Sequence, residues 1–166
     1  KVFTAVALGL LVEEKKLEWD APVVRYLPWF QMWDPYVTRE LTIRDLLVHR
    51  SGLGLGAGDL LWWPPSTYDR KEIVRRLRYI KPATSFRSAY AYDNVLYLVA
   101  GQVVAAVSGM PWDDFVRTRI FAPLGMTHTF YLDDHTRVVP KRAVGYVPPR
   151  GPTPGGTLRC GHAGRG

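Results

Sequence analysis

Residues 2–12 read Val-Phe-Thr-Ala-Val-Ala-Leu-Gly-Leu-Leu-Val, and no other stretch limits the fold as strongly. Wound as a helix, they are apolar nearly all the way round. Such a helix has no face suited to water and belongs in the middle of a domain. Glu13, Glu14, Lys15 and Lys16 end the apolar run, and Trp19-Asp20-Ala21-Pro22 breaks the helix. Asp20 is placed to cap a short turn from Val23 to Leu27, which Pro28 closes. The rest of the chain must supply enough apolar surface to wrap the first helix. With 166 residues, 47% of them hydrophobic, it has that surface, and disorder over most of its length is excluded.

Further helices follow from spacing and end signals. Thr42-Ile43-Arg44-Asp45 fits a capping box, after which Ile43, Leu46 and Leu47 give helical spacing as far as Ser51-Gly52. Residues 52–66, rich in Gly, Trp and Pro, read as a loop whose Trp62 and Trp63 pack down rather than line a groove. Asp69 to Ile80 forms an amphipathic helix with Ile73, Val74, Leu77 and Ile80 inward. Its outer face, with Arg70, Lys71, Arg75, Arg76 and Arg78, holds the densest part of a net charge of +7. Interleaved Glu72 and apolar residues make this the solvated side of a helix, not a nucleic-acid surface. Asn94 to Ser108 is another helix, apolar at Val95, Leu96, Leu98, Val99, Val103, Val104 and Val107 and closed by Gly109. Pro111 suits the first turn of the next, which runs to about Phe121. Residues 126–147 alternate enough, at Thr129-Phe130-Tyr131-Leu132 and Ala143-Val144-Gly145-Tyr146, to predict short strands or extended loops. From 148 to 166 the chain is Pro, Gly and Arg with little to bury, a tail expected to be disordered beside a domain spanning 1–147.

Composition removes several classes of function. The single cysteine, Cys160, allows neither an intrachain disulfide nor a cysteine-rich zinc site. His128, His135 and His162 have no ligand spacing with carboxylates, so neither metal nor cofactor is expected. No apolar run reaches the roughly 20 residues of a membrane span. The chain opens on Lys1 rather than Met and reads as an internal piece of a longer protein.

Four landmarks carry chemistry: Lys1-Val2-Phe3-Thr4-Ala5, Leu46-Leu47-Val48-His49-Arg50-Ser51-Gly52-Leu53, Tyr92-Asp93-Asn94, and Pro123-Leu124-Gly125-Met126. In that order they resemble the serine β-lactamase and D-Ala-D-Ala peptidase superfamily, in particular its class C-like branch, over about residues 1–147. In that family a Ser-x-x-Lys motif opens a central helix, Tyr-x-Asn follows, and Pro-Leu-Gly-Met comes later. The implied fold is α+β, β-lactamase/transpeptidase-like, with this chain covering mainly the helical subdomain. Most of the sheet would lie outside it and leave apolar parts of the first helix exposed.

The resemblance implies Lys1 as the motif lysine, Tyr92 as general base or proton relay, and Asn94 as a positioning amide. A serine hydroxyl needs a neighbouring base to become a good nucleophile. Serine and lysine three apart on a helix face each other, and desolvation would let the amine act as that base. In an extended Tyr-Asp-Asn segment, Tyr92 and Asn94 fall on one side, while Asp93 is free to cap the following helix. The nucleophile would stand three residues before Lys1, so this chain by itself is expected to form no acyl-enzyme. His162-Ala163-Gly164 matches the letters of the family's third motif but lies in a poor strand context. His49 and Ser51 read as structural, one closing a helix and the other making a turn. The implied activity is hydrolysis of a β-lactam, D-amino peptide or ester, on a small-molecule or peptide substrate, in a periplasmic or secreted parent. The alternative is a non-catalytic binding protein on the same scaffold.

Overall fold

The computed structural model describes residues 1–130, together with the backbone of Tyr146–Val147 and Leu158–Arg159. Residues 1–129 form one compact unit and 130–166 a second. The first unit is built from helices: α1 (Val2–Glu13), α2 (Val23–Tyr26), α3 (Pro35–Glu40), α4 (Arg70–Arg76), α5 (Val95–Ser108) and α6 (Trp112–Val116). In the second, β1 (Tyr146–Val147) pairs antiparallel with β2 (Leu158–Arg159), Tyr146 opposite Arg159. The pairing of Tyr146–Val147 falls at the end of the 126–147 stretch read as short strands or extended loops. It also gives the expected tail a paired segment at Leu158–Arg159, while His162 and the remainder of 131–166 lie outside the described residues.

The centre of the first unit is α5, which touches α1, α2, α4 and α6. Valine is a mediocre helix former, yet Val95, Val99, Val103 and Val104 are fully buried here, so packing overrides propensity. Asp93 starts the helix by accepting the Val95 amide at 3.0 Å, and Gly109 ends it in the left-handed conformation at φ +73°. Against α5, α1 buries Thr4, Ala7, Leu8 and Leu11. The all-round apolar surface of α1 is not all covered: Val2 and Val6 are 65% and 42% exposed. Phe3 meets Phe121 edge-on at 4.9 Å, tying α1 to the wide turn after α6.

Several local expectations are corrected. Asp20 does not cap α2; it forms a two-pronged ion pair with Arg44, and Pro22 holds the cap position. The capping box forms as read, with the Thr42 amide and hydroxyl both donating to Asp45 Oδ2 at 2.9 and 2.8 Å. The segment after it is a run of turns rather than an α-helix. Asp45 is shared with Arg87, 2.6 Å away, and His49 turns left-handed at φ +59°, which stops helical propagation. Pro111 sits at the cap of α6, one position earlier than expected. Gly52 is required where it stands: φ is +94°, and a Cβ there would lie 2.8 Å from the Thr84 carbonyl oxygen.

The amphipathic segment divides into α4 and a 3₁₀ turn over Leu77–Tyr79, with Ile73, Val74 and Leu77 inward as expected. Its basic residues are engaged within the chain. Arg76 pairs with Glu72 at 2.9 Å, Arg70 with Asp113 at 2.8 Å, and Lys71 and Arg75 lie over the Trp29 ring at 5.6 and 5.7 Å. Asp69 caps α4 by accepting the Glu72 amide at 2.7 Å. Asp69→Ala should therefore cost about 1 kcal/mol in a urea unfolding experiment, as loss of a side-chain N-cap does. No single helix among the described residues is long and apolar enough to cross a membrane.

Candidate active site

The segment Ala91-Tyr92-Asp93 is fixed along its backbone before any side chain is considered. Its amides at Ala91 and Asp93 donate to the carbonyl and the Nδ1 of His49, at 3.0 and 3.1 Å. The Tyr92 carbonyl accepts the Gly56 amide at 3.0 Å. His49 reaches this position because its left-handed backbone turns the chain back toward residues 91–93.

Onto that platform α1 delivers Lys1. Its Nζ lies 3.8 Å from the centre of the Tyr92 ring and 4.4 Å from that of Tyr97, and it donates to the Asp93 carbonyl at 3.4 Å. Two aromatic faces and a carbonyl oxygen attract a cation to that point. On the other side the His49 ring stacks against Tyr92 with centroids 4.5 Å apart. Burial, and then the Lys1 charge, push the His49 imidazole below its ordinary value. Because Nδ1 accepts the Asp93 amide, the neutral ring carries its proton on Nε2. Tyr97 donates its hydroxyl to the Leu47 carbonyl at 3.2 Å, and burial raises its phenol.

The residues singled out from sequence are thus brought together in part. Lys1 and Tyr92 are in contact although 91 positions apart in the chain. Asn94 has a different partner: its amide donates to Asp59 Oδ2 at 2.9 Å. The alternation that would place Tyr92 and Asn94 together ends at Asp93, because Asn94 already has helical angles, φ −88° and ψ −35°. The expected desolvation of the lysine is corrected as well. Lys1 stands at the cap position before α1 and is exposed, and Tyr92 is 40% exposed.

Asp93 plays the capping part expected of it and more. It is fully buried, and Ser51 donates to its Oδ2 at a long 3.5 Å. Burial pushes its carboxyl up to about 6, against the pull of the Val95 and Leu96 amides. Ser51 makes the turn read from sequence, accepting the Leu53 amide at 3.1 Å. His49 is the residue sequence reasoning undervalued. Its place inside the Leu-Leu-x-His-x-Ser-Gly-Leu landmark was the available signal, but only the fold shows its ring against Tyr92. Trp62 and Trp63 correct a further expectation: with Asp59, Asn94 and Leu98 they line an open cavity, and Trp63 is 63% exposed. Among the described residues no group of three His, Cys, Asp or Glu side chains could hold a metal ion.

Comparison with known proteins bears on this arrangement. The sequence model of the Beta-lactamase family matches residues 1–164. The chain is 33% identical to an unguisins hydrolase of Aspergillus campestris over 157 residues, covering 89% of the chain and 29% of that protein. It is 33% identical to penicillin-binding protein 4* of Bacillus subtilis over 163 residues, covering 89% of the chain and 33% of that protein. The chain thus spans about a third of the length of these relatives. Among solved structures, the D-amino acid amidase of Ochrobactrum anthropi superposes with a TM-score of 0.68 at 31% identity, covering 87% of this chain and 40% of that one.

Proposed function

Since the chain belongs to the beta-lactamase family, we propose that it carries the lysine and tyrosine of a class C-like serine hydrolase that works through an acyl-enzyme. In this reading Tyr92 carries the proton, Lys1 supplies the adjacent amine and charge, and Asn94, held by Asp59, positions the substrate amide. The nucleophile in this reading is the serine of the family's Ser-x-x-Lys motif, three residues before the lysine, where one further helical turn would bring its hydroxyl beside the Lys1 amine. Its oxygen attacks the substrate carbonyl while its proton passes to the Tyr92–Lys1 pair. The tetrahedral intermediate collapses, the leaving group departs with a proton, and water later cleaves the ester. The substrate is a small molecule or peptide bearing an amide, lactam or ester carbonyl.

The observation that carries this reading is the placement of the Lys1 amine over the Tyr92 ring, 3.8 Å from its centre. Local sequence rules give no reason for a helix N-terminus and a loop residue so far along the chain to meet. His49 then serves as a neutral support for the phenol ring rather than as the base. A direct test uses the full-length protein with a slowly hydrolysed β-lactam and a chromogenic ester. Intact-protein mass spectrometry should reveal a covalent adduct on serine, with ester turnover alongside. If neither adduct nor turnover is detected, the non-catalytic scaffold becomes the better account.

A further inference from the structure

The outer side of α4 and of the 3₁₀ turn after it carries cations that the fold does not neutralise. Of the nearby carboxylates, Glu72 is taken by Arg76 at 2.9 Å and Asp113 by Arg70 at 2.8 Å, while Asp69 and Asp34 cap α4 and α3. Lys71, Arg75, Arg78 and Lys81 have no carboxylate partner among the described residues. These four are gathered rather than scattered. Lys71 and Arg75 stand one helical turn apart and both lie over the Trp29 ring, at 5.6 and 5.7 Å. Arg78 donates its Nε–H to the Arg75 carbonyl at 3.0 Å, and Lys81 lies over Trp33 at 5.2 Å. An aromatic ring holds a cation in place but leaves its charge, so the field in front of this surface stays positive.

We propose that this face docks the protein on a bilayer carrying anionic phospholipid, as a peripheral and reversible contact. The four cations supply attraction to lipid phosphates, and a cluster of that size on a helix is enough for it. The rings decide between a membrane and another polyanion. Trp33 is 46% exposed and Tyr79 71%, and such amphipathic rings concentrate at the headgroup level of a bilayer. A nucleic acid would use bare ring faces to stack its bases, whereas here Lys71, Arg75 and Lys81 lie over the indoles. The depth of the contact follows from the fold as well. An amphipathic helix that inserts into lipid does so with its apolar face, but Ile73, Val74 and Leu77 are already buried within the chain. Only cationic heads and ring edges are left for the lipid, so the contact is shallow, salt-sensitive and made without refolding. The inference does not depend on the hydrolase reading.

The test is co-sedimentation of the full chain with vesicles of phosphatidylcholine containing about one-third phosphatidylglycerol, at roughly 0.1 M salt. The protein should bind these at least about tenfold more tightly than vesicles of phosphatidylcholine alone, and should be released at about 1 M salt. Lys71→Gln with Arg75→Gln removes two exposed charges and keeps good helix formers, so the circular dichroism spectrum should not change. This pair should weaken vesicle binding about thirtyfold, from the usual contribution of each surface cation. Lys141→Gln with Arg142→Gln, a charge-matched control in the other unit of the chain, should change it by no more than about threefold. Equal binding to the two kinds of vesicle overturns the proposal, as does a control pair that weakens binding as much as the α4 pair. A DNA duplex bound more tightly than the anionic vesicles at equal phosphate concentration, and weakened by the same α4 pair, would make the face a nucleic-acid surface and likewise overturn it.

Discussion

Tyr92→Phe in the full-length protein should lower kcat/KM for a chromogenic ester by about 10²–10⁴-fold, the range for loss of a positioned proton carrier. The substitution removes one hydroxyl and keeps the ring. Packing against His49 at 4.5 Å and under Lys1 at 3.8 Å is therefore preserved, as is the backbone bond from Gly56. With those contacts intact the fold should be unchanged, which near-ultraviolet circular dichroism would check. The loss should fall on kcat rather than KM, since a proton carrier acts in the transition state more than in ground-state binding. His49→Asn provides a useful contrast. It removes the stacked ring but leaves the phenol, so it should weaken turnover through positioning, by less than Tyr92→Phe. A Tyr92→Phe enzyme working at the unaltered rate would remove Tyr92 from the mechanism.

The sequence was most informative where local rules and packing agree. The apolar run of α1, the amphipathic spacing of Ile73, Val74 and Leu77 in and after α4, and the Gly109 stop of α5 are legible in sequence, and each is present. Asp34-Pro35 carries a signal of the same kind, a cap residue followed by a proline at the first helical position, and α3 starts there with Asp34 accepting the Tyr36 amide at 2.7 Å. Other features depended on partners far along the chain. Residues 43–49 have helical spacing, but Asp45 is drawn to Arg87, and no window of sequence contains both. Asn94 is likewise claimed by Asp59, 35 positions earlier. The meeting of Lys1 with Tyr92 is legible only through the order of the four family landmarks. Neither residue type nor spacing would place an amine on that ring.

Asp93 gives the second large effect, and its sign is unusual for an acid. Asp45, Asp20 and Glu14, each meeting an arginine, are held below their ordinary value. For Asp45, burial alone would raise the carboxyl, but hydrogen bonds from Arg87 and Thr42 outweigh it. Such groups stabilise the fold above their unfolded pKa, and that stability is lost as pH falls. Asp93 runs the other way: its carboxyl rises from 3.8 to about 6 in the folded chain. Between those values the native state holds a proton that the unfolded chain has shed. The contribution is therefore present at acid pH and lost as pH climbs through about 6. A shift of that size corresponds to roughly 3 kcal/mol between the two ends of the window. Asp93→Asn cannot titrate, keeps an oxygen for the Val95 amide and gains a donor for Ser51. Urea unfolding of both proteins at pH 4 and pH 7.5 isolates this one group, because every other carboxylate is common to the pair. The variant should gain on the order of 3 kcal/mol over the parent on going to the higher pH. A stability difference that stays constant across the two conditions would mean that the buried carboxyl titrates like an exposed one.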